Sequence, residues 1–313
     1  PLRAAAAAGE PALETRPIRE GGEASPGLLR DVAAAVRAAQ PDILWASESR
    51  GHGAAVWSRA AKRAPLVVHR RVMFPPKSHA LSRYKYAAAA GFAAISQAVA
   101  SSLVAAGVPA SRIRVVPDGL PPEAFVSLPE PPAPPLRLVH VGAFDGRKGQ
   151  HIVVDVLAAL VARGWDLVAT FLGSGPERAA VEARARSLGV GKRCEFRGEI
   201  PSVFEVLSRS HLLLLPSESE GGSLAALEAM AAGCPVLAHD TGGVAEILRG
   251  TEGGRLVSGL DPLVWTEATA RLLGAPELRA QLQMRGRALA RQRTVAHTAE
   301  TLEAFFTDIL NGG

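Results

Sequence analysis

A short segment that carries two glutamates constrains the fold of this chain more than any other feature. The run 211–215 has the pattern of a buried strand, and it closes on Pro216. Glu220 follows, with two glycines and a serine directly after it, and Glu228 comes next in a run rich in alanine and leucine. The segment therefore predicts a strand, a tight loop and a helix whose free N-terminal N–H groups face an anion.

The two carboxylates lie eight residues apart, which places Glu220 at the loop and Glu228 about two turns into the helix. A phosphate between them would meet N–H donors, and hydroxyls on either side would meet carboxylate acceptors. This arrangement fits a nucleotide sugar, with its diphosphate in the middle. A second interpretation stays open, since a glutamate in such a helix commonly faces solvent.

The string around these glutamates resembles the signature of the retaining GT-B glycosyltransferases of family 4. That signature has two glutamates with seven residues between them, followed by E-A-M-A-x-G-x-P-V. The matching positions here are Glu220, Glu228, Ala229, Met230, Ala231, Gly233, Pro235 and Val236. The resemblance implies a bacterial hexosyltransferase with an α/β fold of the GT-B type, in which two doubly wound Rossmann-like domains face each other across a cleft.

Short apolar runs alternate with helical patterns through both halves of the chain, which predicts parallel sheets covered by helices. The expected strands lie near 43–46, 66–69, 92–95, 113–116, 136–141, 167–172, 193–197, 211–215, 235–238 and 254–257. The expected units are an acceptor-side domain at 1–120, a proline-rich hinge at 121–135, a nucleotide-sugar domain at 136–290 and a helix crossing back at 291–313. Ser25 and Pro26 indicate the start of a helix that runs to about residue 39, and the first clear strand, 43–46, comes only after it. Because no strand with a glycine-rich loop precedes this helix, the first domain is expected to lack its start.

A glycine loop with a basic pair follows the strand at 136–141. In the family this loop reads V-G-R and then K-G, and the resemblance implies that its arginine and lysine bind the leaving diphosphate. The chain keeps Gly142, Lys148 and Gly149, but Ala143 stands where the family has arginine. Arg147 is a candidate substitute, since a guanidinium matches phosphate geometry and lysine acts as a point charge.

Backbone groups from three turns complete the expected donor site. The loop at the helix start is expected to bind the diphosphate through Gly221, Gly222, Ser223 and Leu224. The G-x-G pattern after the strand at 167–172 indicates a tight turn at Gly173 near the donor. The resemblance places the nucleobase beside Arg197, Gly198 and Ile200. It assigns ribose to Glu228 and the transferred hexose to Glu220. Glu246 fits a ligand or a charge at a helix N-terminus equally well.

The first domain is expected to supply basic residues at the end of the strand near 66–69. Many family members place an active-site histidine just beyond this strand, and Arg71 matches that spacing more closely than His69. The candidate catalytic residues are therefore Glu220, Lys148, Arg71 and His69, although a histidine at a strand end is more often structural. The segment 69–86 mixes basic and aromatic residues, which fits a glycan or glycolipid acceptor, peripheral contact with an anionic membrane, or a solvated loop.

Composition excludes several other classes. No run approaches the ~18 apolar residues that span a bilayer, and the two cysteines lack metal-ligand spacing. Aromatic residues are too few to support a nucleic-acid partner, despite a net charge of +5. We expect no cofactor and no metal, and a cytoplasmic location or the inner face of the membrane. A role in cell-envelope glycan synthesis is expected, and a glycosyl phosphorylase or a non-catalytic nucleotide-sugar-binding or glycan-binding relative stays open.

Overall fold

The structure is a computed structural model that describes residues 17–125, 134–249 and 252–312. Short strands alternate with helices through these ranges, and the strands form two separate parallel sheets. This confirms the α/β class with two Rossmann-like units. Each expected strand is present, and no end is shifted by more than one residue.

The first sheet has four strands in the order β1-β2-β3-β4 within the described residues. These strands are β1 (Leu44–Ala46), β2 (Leu66–Arg70), β3 (Gly91–Ala94) and β4 (Ile113–Val115). Its helices are α1 (Pro26–Ala39), α2 (Ser49–Trp57), α3 (Ala80–Ala87) and α4 (Gln97–Ala105). After α2 the helix does not continue, because Arg59 takes a left-handed conformation (φ 63°) and only a 3₁₀ turn, Ala60–Lys62, follows it.

The second sheet has six strands in the order β10-β9-β8-β5-β6-β7 within the described residues. These strands are β5 (Leu136–Val141), β6 (Leu167–Leu172), β7 (Cys194–Gly198), β8 (Leu212–Leu215), β9 (Val236–His239) and β10 (Gly254–Val257). The helices between them are α5 (Gln150–Ala162), α6 (Arg178–Ser187), α7 (Phe204–Ser208), α8 (Leu224–Ala232) and α9 (Gly242–Arg249). After β10 come α10 (Pro262–Leu273), α11 (Pro276–Ala290) and α12 (Val295–Leu310).

The direction of winding in the second sheet reverses between β5 and β8, which are neighbours although two strands separate them in sequence. Helices cover both faces, so β8 reads as four leucines that are all buried. Ligands of doubly wound sheets bind beyond the carboxyl ends of the strands at such a reversal. The loops after β5 and β8 carry Lys148 and Glu220 to this point.

The final helix, α12, packs against the first sheet. Phe305 is buried against Val67, Ala93 and Val116. The chain leaves the first half near Leu120 and comes back to it at 293–295, and these two segments lie side by side. The Leu120 N–H donates to the Arg293 carbonyl at 2.8 Å, and the Val295 N–H donates to the Leu120 carbonyl at 3.0 Å. The two halves are therefore joined by two hydrogen-bonded chain passages.

The boundaries of the expected units stay a prediction. Most of the expected hinge, 126–133, lies outside the described residues, as does the stretch before residue 17 on which the expectation of an incomplete first domain partly rests. No helix in the described part of the chain is both long and apolar enough to cross a bilayer.

Candidate active site

A cavity of about 450 Å³ lies between the two sheets at the carboxyl ends of their strands, and we call it the cleft cavity. Both halves of the chain line it. The first half supplies Arg71, Val72, Met73, Phe74, Ile95 and Asp118. The second half supplies Val141, Gly142, Asp145, Arg147, Lys148, Ser219, Glu220, Gly221, Gly222, Ser223, Leu224, Ala225 and Glu228.

The loop between β8 and α8 is in direct contact with the first half. A Cβ on Gly221 would lie 2.0 Å from the backbone oxygen of Arg71, and one on Gly222 would lie 2.8 Å from Ile95 Cδ1. The Ser96 hydroxyl donates a hydrogen bond to the Gly221 carbonyl. Glycine is therefore required at 221 because the backbone of the opposite half occupies the space of a side chain.

Lys148 and Glu220 meet at the wall of the cleft cavity. The lysine Nζ donates to Glu220 Oε1 at 2.8 Å, and only 9% of the glutamate side chain is exposed. Gly149, the N-cap of α5, has φ 72°, and a Cβ there would lie 2.1 Å from the Pro216 carbonyl oxygen. This close approach of the two loops brings together an ammonium and a carboxylate from segments that are far apart in sequence.

Glu228 reaches the same cavity from α8. Burial, and after it the negative charge of Asp118, raises the pKa of Glu228 to about 7. Near neutral pH this carboxyl group therefore exists in both its protonated and ionised forms. The helix itself begins at an N-cap, Ser223, whose Oγ accepts a hydrogen bond from the Ala226 N–H at 3.3 Å.

Arg147 also lies in the wall of the cleft cavity, whereas Ala143 does not line it. The Nη2 atom of Arg147 is 2.7 Å from Asp145 Oδ2, and the Arg147 guanidinium lies 5.0 Å from the centre of the Phe74 ring. Phe74 belongs to the first half, so a cation–π contact crosses the mouth of the cleft. The structure thus places a guanidinium in the cavity despite the alanine at 143.

Arg71 enters the cleft cavity from the loop after β2. It donates two hydrogen bonds to Asp118, at 2.7 and 2.6 Å. His69 lies inside β2 rather than beyond its end, and its ring packs 5.1 Å from that of Trp45. Burial, and then the charge of Arg71, lowers the pKa of His69 to about 4, so the ring is neutral. Of these two candidates, the structure brings only Arg71 into the cavity.

With this geometry in place, comparison with known proteins identifies the family. The model of glycosyl transferases group 1 matches residues 128–289, more than half of the chain. The chain belongs to this family. A second model, Glycosyltransferase Family 4, matches residues 3–124.

Curated relatives match this chain over part of its length. It is 30% identical to the D-inositol 3-phosphate glycosyltransferase of Corynebacterium diphtheriae over 179 residues, which are 55% of this chain and 42% of the relative. It is 32% identical to the 2-deoxystreptamine glucosyltransferase of Streptomyces kanamyceticus over 207 residues, 60% of this chain and 52% of the relative. The chain thus spans about half the length of these relatives.

Solved structures resemble this chain in fold. Anabaena HepE, solved with UDP and glucose, has a TM-score of 0.80 at 20% identity and covers 92% of this chain and 84% of its own. Sucrose-phosphate synthase from Thermosynechococcus elongatus has a TM-score of 0.79 at 19% identity, covering 96% and 87%. At these identities the likeness shows the GT-B fold.

The residues expected beside the nucleobase, Arg197, Gly198 and Ile200, do not line the cleft cavity. The Gly173 N–H donates to the Gly198 carbonyl at 2.8 Å, and a Cβ on Gly173 would lie 2.1 Å from the Gly142 oxygen. This turn therefore packs directly behind Gly142. The Arg197 side chain pairs with Glu195 at 2.8 Å, and the partly buried Ile200 packs against the core of the second sheet. A role for these residues in base binding stays a prediction.

Glu246 caps a helix of the opposite half. Its carboxylate accepts hydrogen bonds from the backbone N–H groups of Gln97, at 3.0 Å, and of Ala98, at the start of α4. Ser96 Oγ accepts from the Val99 N–H of the same turn at 3.2 Å. A charge at a helix N-terminus was one of the two roles expected of Glu246. The helix that Glu246 caps is α4 of the first half, rather than α9, to which Glu246 itself belongs.

Replacing Glu246 by alanine is expected to lower the free energy of unfolding by about 1 kcal/mol, because two N–H groups lose their acceptor. Urea unfolding followed by circular dichroism measures this change. Glu303→Ala, at an exposed position of α12, is the control and should change stability by less than about 0.5 kcal/mol. Equal losses in the two variants would contradict the capping role.

Sequence reasoning gave Asp118 no direct role, assigned Phe74 only to the basic and aromatic segment 69–86, and missed Asp145. All three residues line the cleft cavity. Asp118 follows β4 at the same sheet edge as Arg71, so its position after a parallel strand was the available signal. Phe74 and Asp145 lie in irregular loops, where no periodicity indicates which way a side chain points.

Proposed function

We propose that this protein transfers a hexose from a nucleoside diphosphate sugar to an acceptor and retains the anomeric configuration. The observation that carries the proposal is the convergence of Lys148, Glu220, Glu228 and the start of α8 on one cavity. Such a site offers cationic and N–H donors to a diphosphate, with carboxylate acceptors on either side. Membership of the group 1 glycosyltransferases supports it, as does the likeness in fold to HepE, solved with UDP and glucose.

In the proposed step, the bond between the anomeric carbon and the diphosphate oxygen breaks. The acceptor oxygen bonds to the same face of that carbon, and its proton passes to the departing phosphate. Lys148 and the N–H groups near Gly221–Leu224 stabilise the charge that develops on the diphosphate. Glu228 holds the ribose hydroxyls and Glu220 those of the hexose. Metal independence is part of the proposal, and unchanged activity with a chelator would support it.

Arg147 takes the role of the family arginine in this proposal. Its guanidinium lies in the cavity wall, beside the loop that carries Lys148. Asp145 holds it from one side, which leaves other N–H groups of the fork for a phosphate. A loss of activity in Arg147→Ala, together with retained UDP affinity, would assign Arg147 to the transition state rather than to ground-state binding.

The acceptor is proposed to bind in a second cavity of about 480 Å³, on the other side of the segment 70–77. Trp57 and Tyr86 form aromatic parts of its wall, and its cationic side chains are Arg70, Lys77 and Lys85. Lys85 is paired with Glu23 at 2.7 Å, whereas Arg70 and Lys77 have no carboxylate partner among the described residues. The second cavity therefore fits an anionic acceptor, and the relative named for D-inositol 3-phosphate supports this.

The structure gives less support to contact between the segment 69–86 and an anionic membrane than to an anionic acceptor in the second cavity. Lys85 is 7% exposed and, like Tyr86, lines the second cavity, so the segment 69–86 offers fewer basic groups to a surface than its sequence indicates. A cell-envelope glycan or glycolipid with a phosphate group would satisfy the second cavity without a membrane. Flotation with phosphatidylserine vesicles separates the cases, since salt-sensitive binding is required for a membrane role.

A thermal-shift screen of nucleotide sugars, followed by mass spectrometry of donor hydrolysis, tests the proposed function. Stabilisation by UDP- or GDP-sugars and release of the free diphosphate are the expected results. Sugar release that depends on inorganic phosphate would identify a phosphorylase instead. Binding without turnover in any donor–acceptor pair would favour the non-catalytic alternative.

Replacing Glu228 by alanine is expected to weaken UDP binding by about 1.5–3 kcal/mol, or roughly 10- to 150-fold, because the ribose loses a partly buried acceptor. Isothermal titration calorimetry measures the change. Glu205→Ala, at an exposed position of α7, is the matched control. Equal affinities of wild type and Glu228→Ala for UDP would remove Glu228 from the donor site.

A further inference from the structure

We propose that Asp118 is a positioning residue of the donor site, which holds Arg71 in the wall of the cleft cavity and sets the charge opposite Glu228. The inference rests on the proposed function for its consequence in catalysis. Its structural part stands on contacts within the protein alone.

The first observation is the geometry of the ion pair. Two hydrogen bonds, at 2.7 and 2.6 Å, join the Arg71 guanidinium to both carboxylate oxygens of Asp118. A two-point contact of this kind fixes the plane of the guanidinium as well as its distance. The Arg71 side chain is 42% exposed, so without Asp118 it would sample many rotamers in the open cleft.

The second observation is the position of the pair in the fold. Arg71 follows β2 and Asp118 lies beyond β4, and β3 lies between these two strands. The ion pair therefore braces the carboxyl edge of the first sheet across one strand. Both members line the cleft cavity that receives Lys148 and Glu220 from the second half.

The third observation is the carboxyl group that Asp118 faces. Burial is the larger cause, and the negative charge of Asp118 the second, of the rise in the pKa of Glu228 to about 7. The other charged groups that line this cavity are Arg71, Asp145, Arg147, Lys148 and Glu220. Arg71, Arg147 and Lys148 are each paired with a carboxylate within 2.8 Å. If a bound diphosphate drew the Arg71 guanidinium away from Asp118, the negative charge of Asp118 would face Glu228 without its partner. The affinity for the donor therefore depends on both Asp118 and Glu228.

Asp118→Asn tests the proposal, because asparagine keeps the shape and removes the charge. In the free protein, carboxyl carbon NMR should show a lower pKa for Glu228, and the Arg71 Nη–H groups, which donate to Asp118, should lose protection. With UDP as probe, the acid limb of the affinity profile should move to lower pH, since Glu228 stays ionised further into acid. The rate of donor hydrolysis or transfer should fall about 10-fold or more as Arg71 loses its position.

Asp155→Asn is the matched control, since Asp155 accepts two hydrogen bonds from Arg184 at 2.6 and 2.8 Å, outside the cleft cavity. It should leave the Glu228 titration and the UDP profile unchanged. An unchanged Glu228 titration and an unchanged Arg71 signal in Asp118→Asn would overturn the proposal. Failure of the wild type to bind any nucleotide would overturn the proposed function instead, and the NMR measurements would still decide the role of Asp118.

Discussion

Replacing Lys148 by alanine is expected to lower the rate of sugar transfer by about 10²-fold or more, because the developing diphosphate charge loses a preorganised cation. The Nζ atom lies at the cavity wall, 2.8 Å from Glu220. Single-turnover kinetics with the donor found by screening measure the effect on the chemical step. Lys192→Ala, at an exposed position between α6 and β7, is the control and should retain wild-type rates.

The loss of Lys148 also leaves Glu220 without its cation in a largely buried position, so stability needs a separate measurement. Urea unfolding of Lys148→Ala and of Lys148→Met separates the two effects, because methionine restores the packing of the stem without its charge. Full folding of Lys148→Met with a rate close to that of wild type would contradict the assignment of Lys148 to the leaving group.

Replacing Gly221 by alanine is expected to lower the rate by about 10²-fold through a steric effect. The new Cβ would lie 2.0 Å from the Arg71 backbone oxygen, so the donor loop and the first half could no longer meet. A displacement of about 1 Å in an active site is enough for a loss of this size. Transfer assays and small-angle scattering measure the rate and the opening of the cleft.

Gly22→Ala is the matched control, because nothing lies within 4 Å of a Cβ at that position. Each sheet keeps its own core in Gly221→Ala, so the circular dichroism spectrum should match that of wild type. Wild-type activity in Gly221→Ala would show that the closed contact between the halves is not needed for turnover.

The parts of the site that were predictable from sequence lie within single strand–loop–helix segments. Lys148, Glu220 and Glu228 each follow a strongly apolar strand, and the reversal of winding between β5 and β8 brings their loops together. Local pattern is sufficient there, because strand ends in a parallel sheet meet at one edge. The strands themselves were predictable for the same reason, since buried strands read as apolar runs.

The remaining features depend on how the two halves meet, which no local pattern records. Glu246 caps α4, the Phe74 ring lies under the Arg147 guanidinium, and Ser96 binds the Gly221 carbonyl. Each contact joins a residue of the first half to a residue of the second half. His69 illustrates a smaller limit: β2 extends one residue beyond its expected end, to Arg70, and this leaves the histidine inside the sheet.

The paired chain passages at Leu120 and at 293–295 determine what kind of motion can open the cleft. A single flexible linker would allow one half to swing, twist and translate against the other. Two backbones joined by hydrogen bonds at 2.8 and 3.0 Å resist shear and separation, and they bend most easily about one axis. We therefore expect the cleft to open mainly about one axis, which would return the two halves of the site to the same alignment each time it closes.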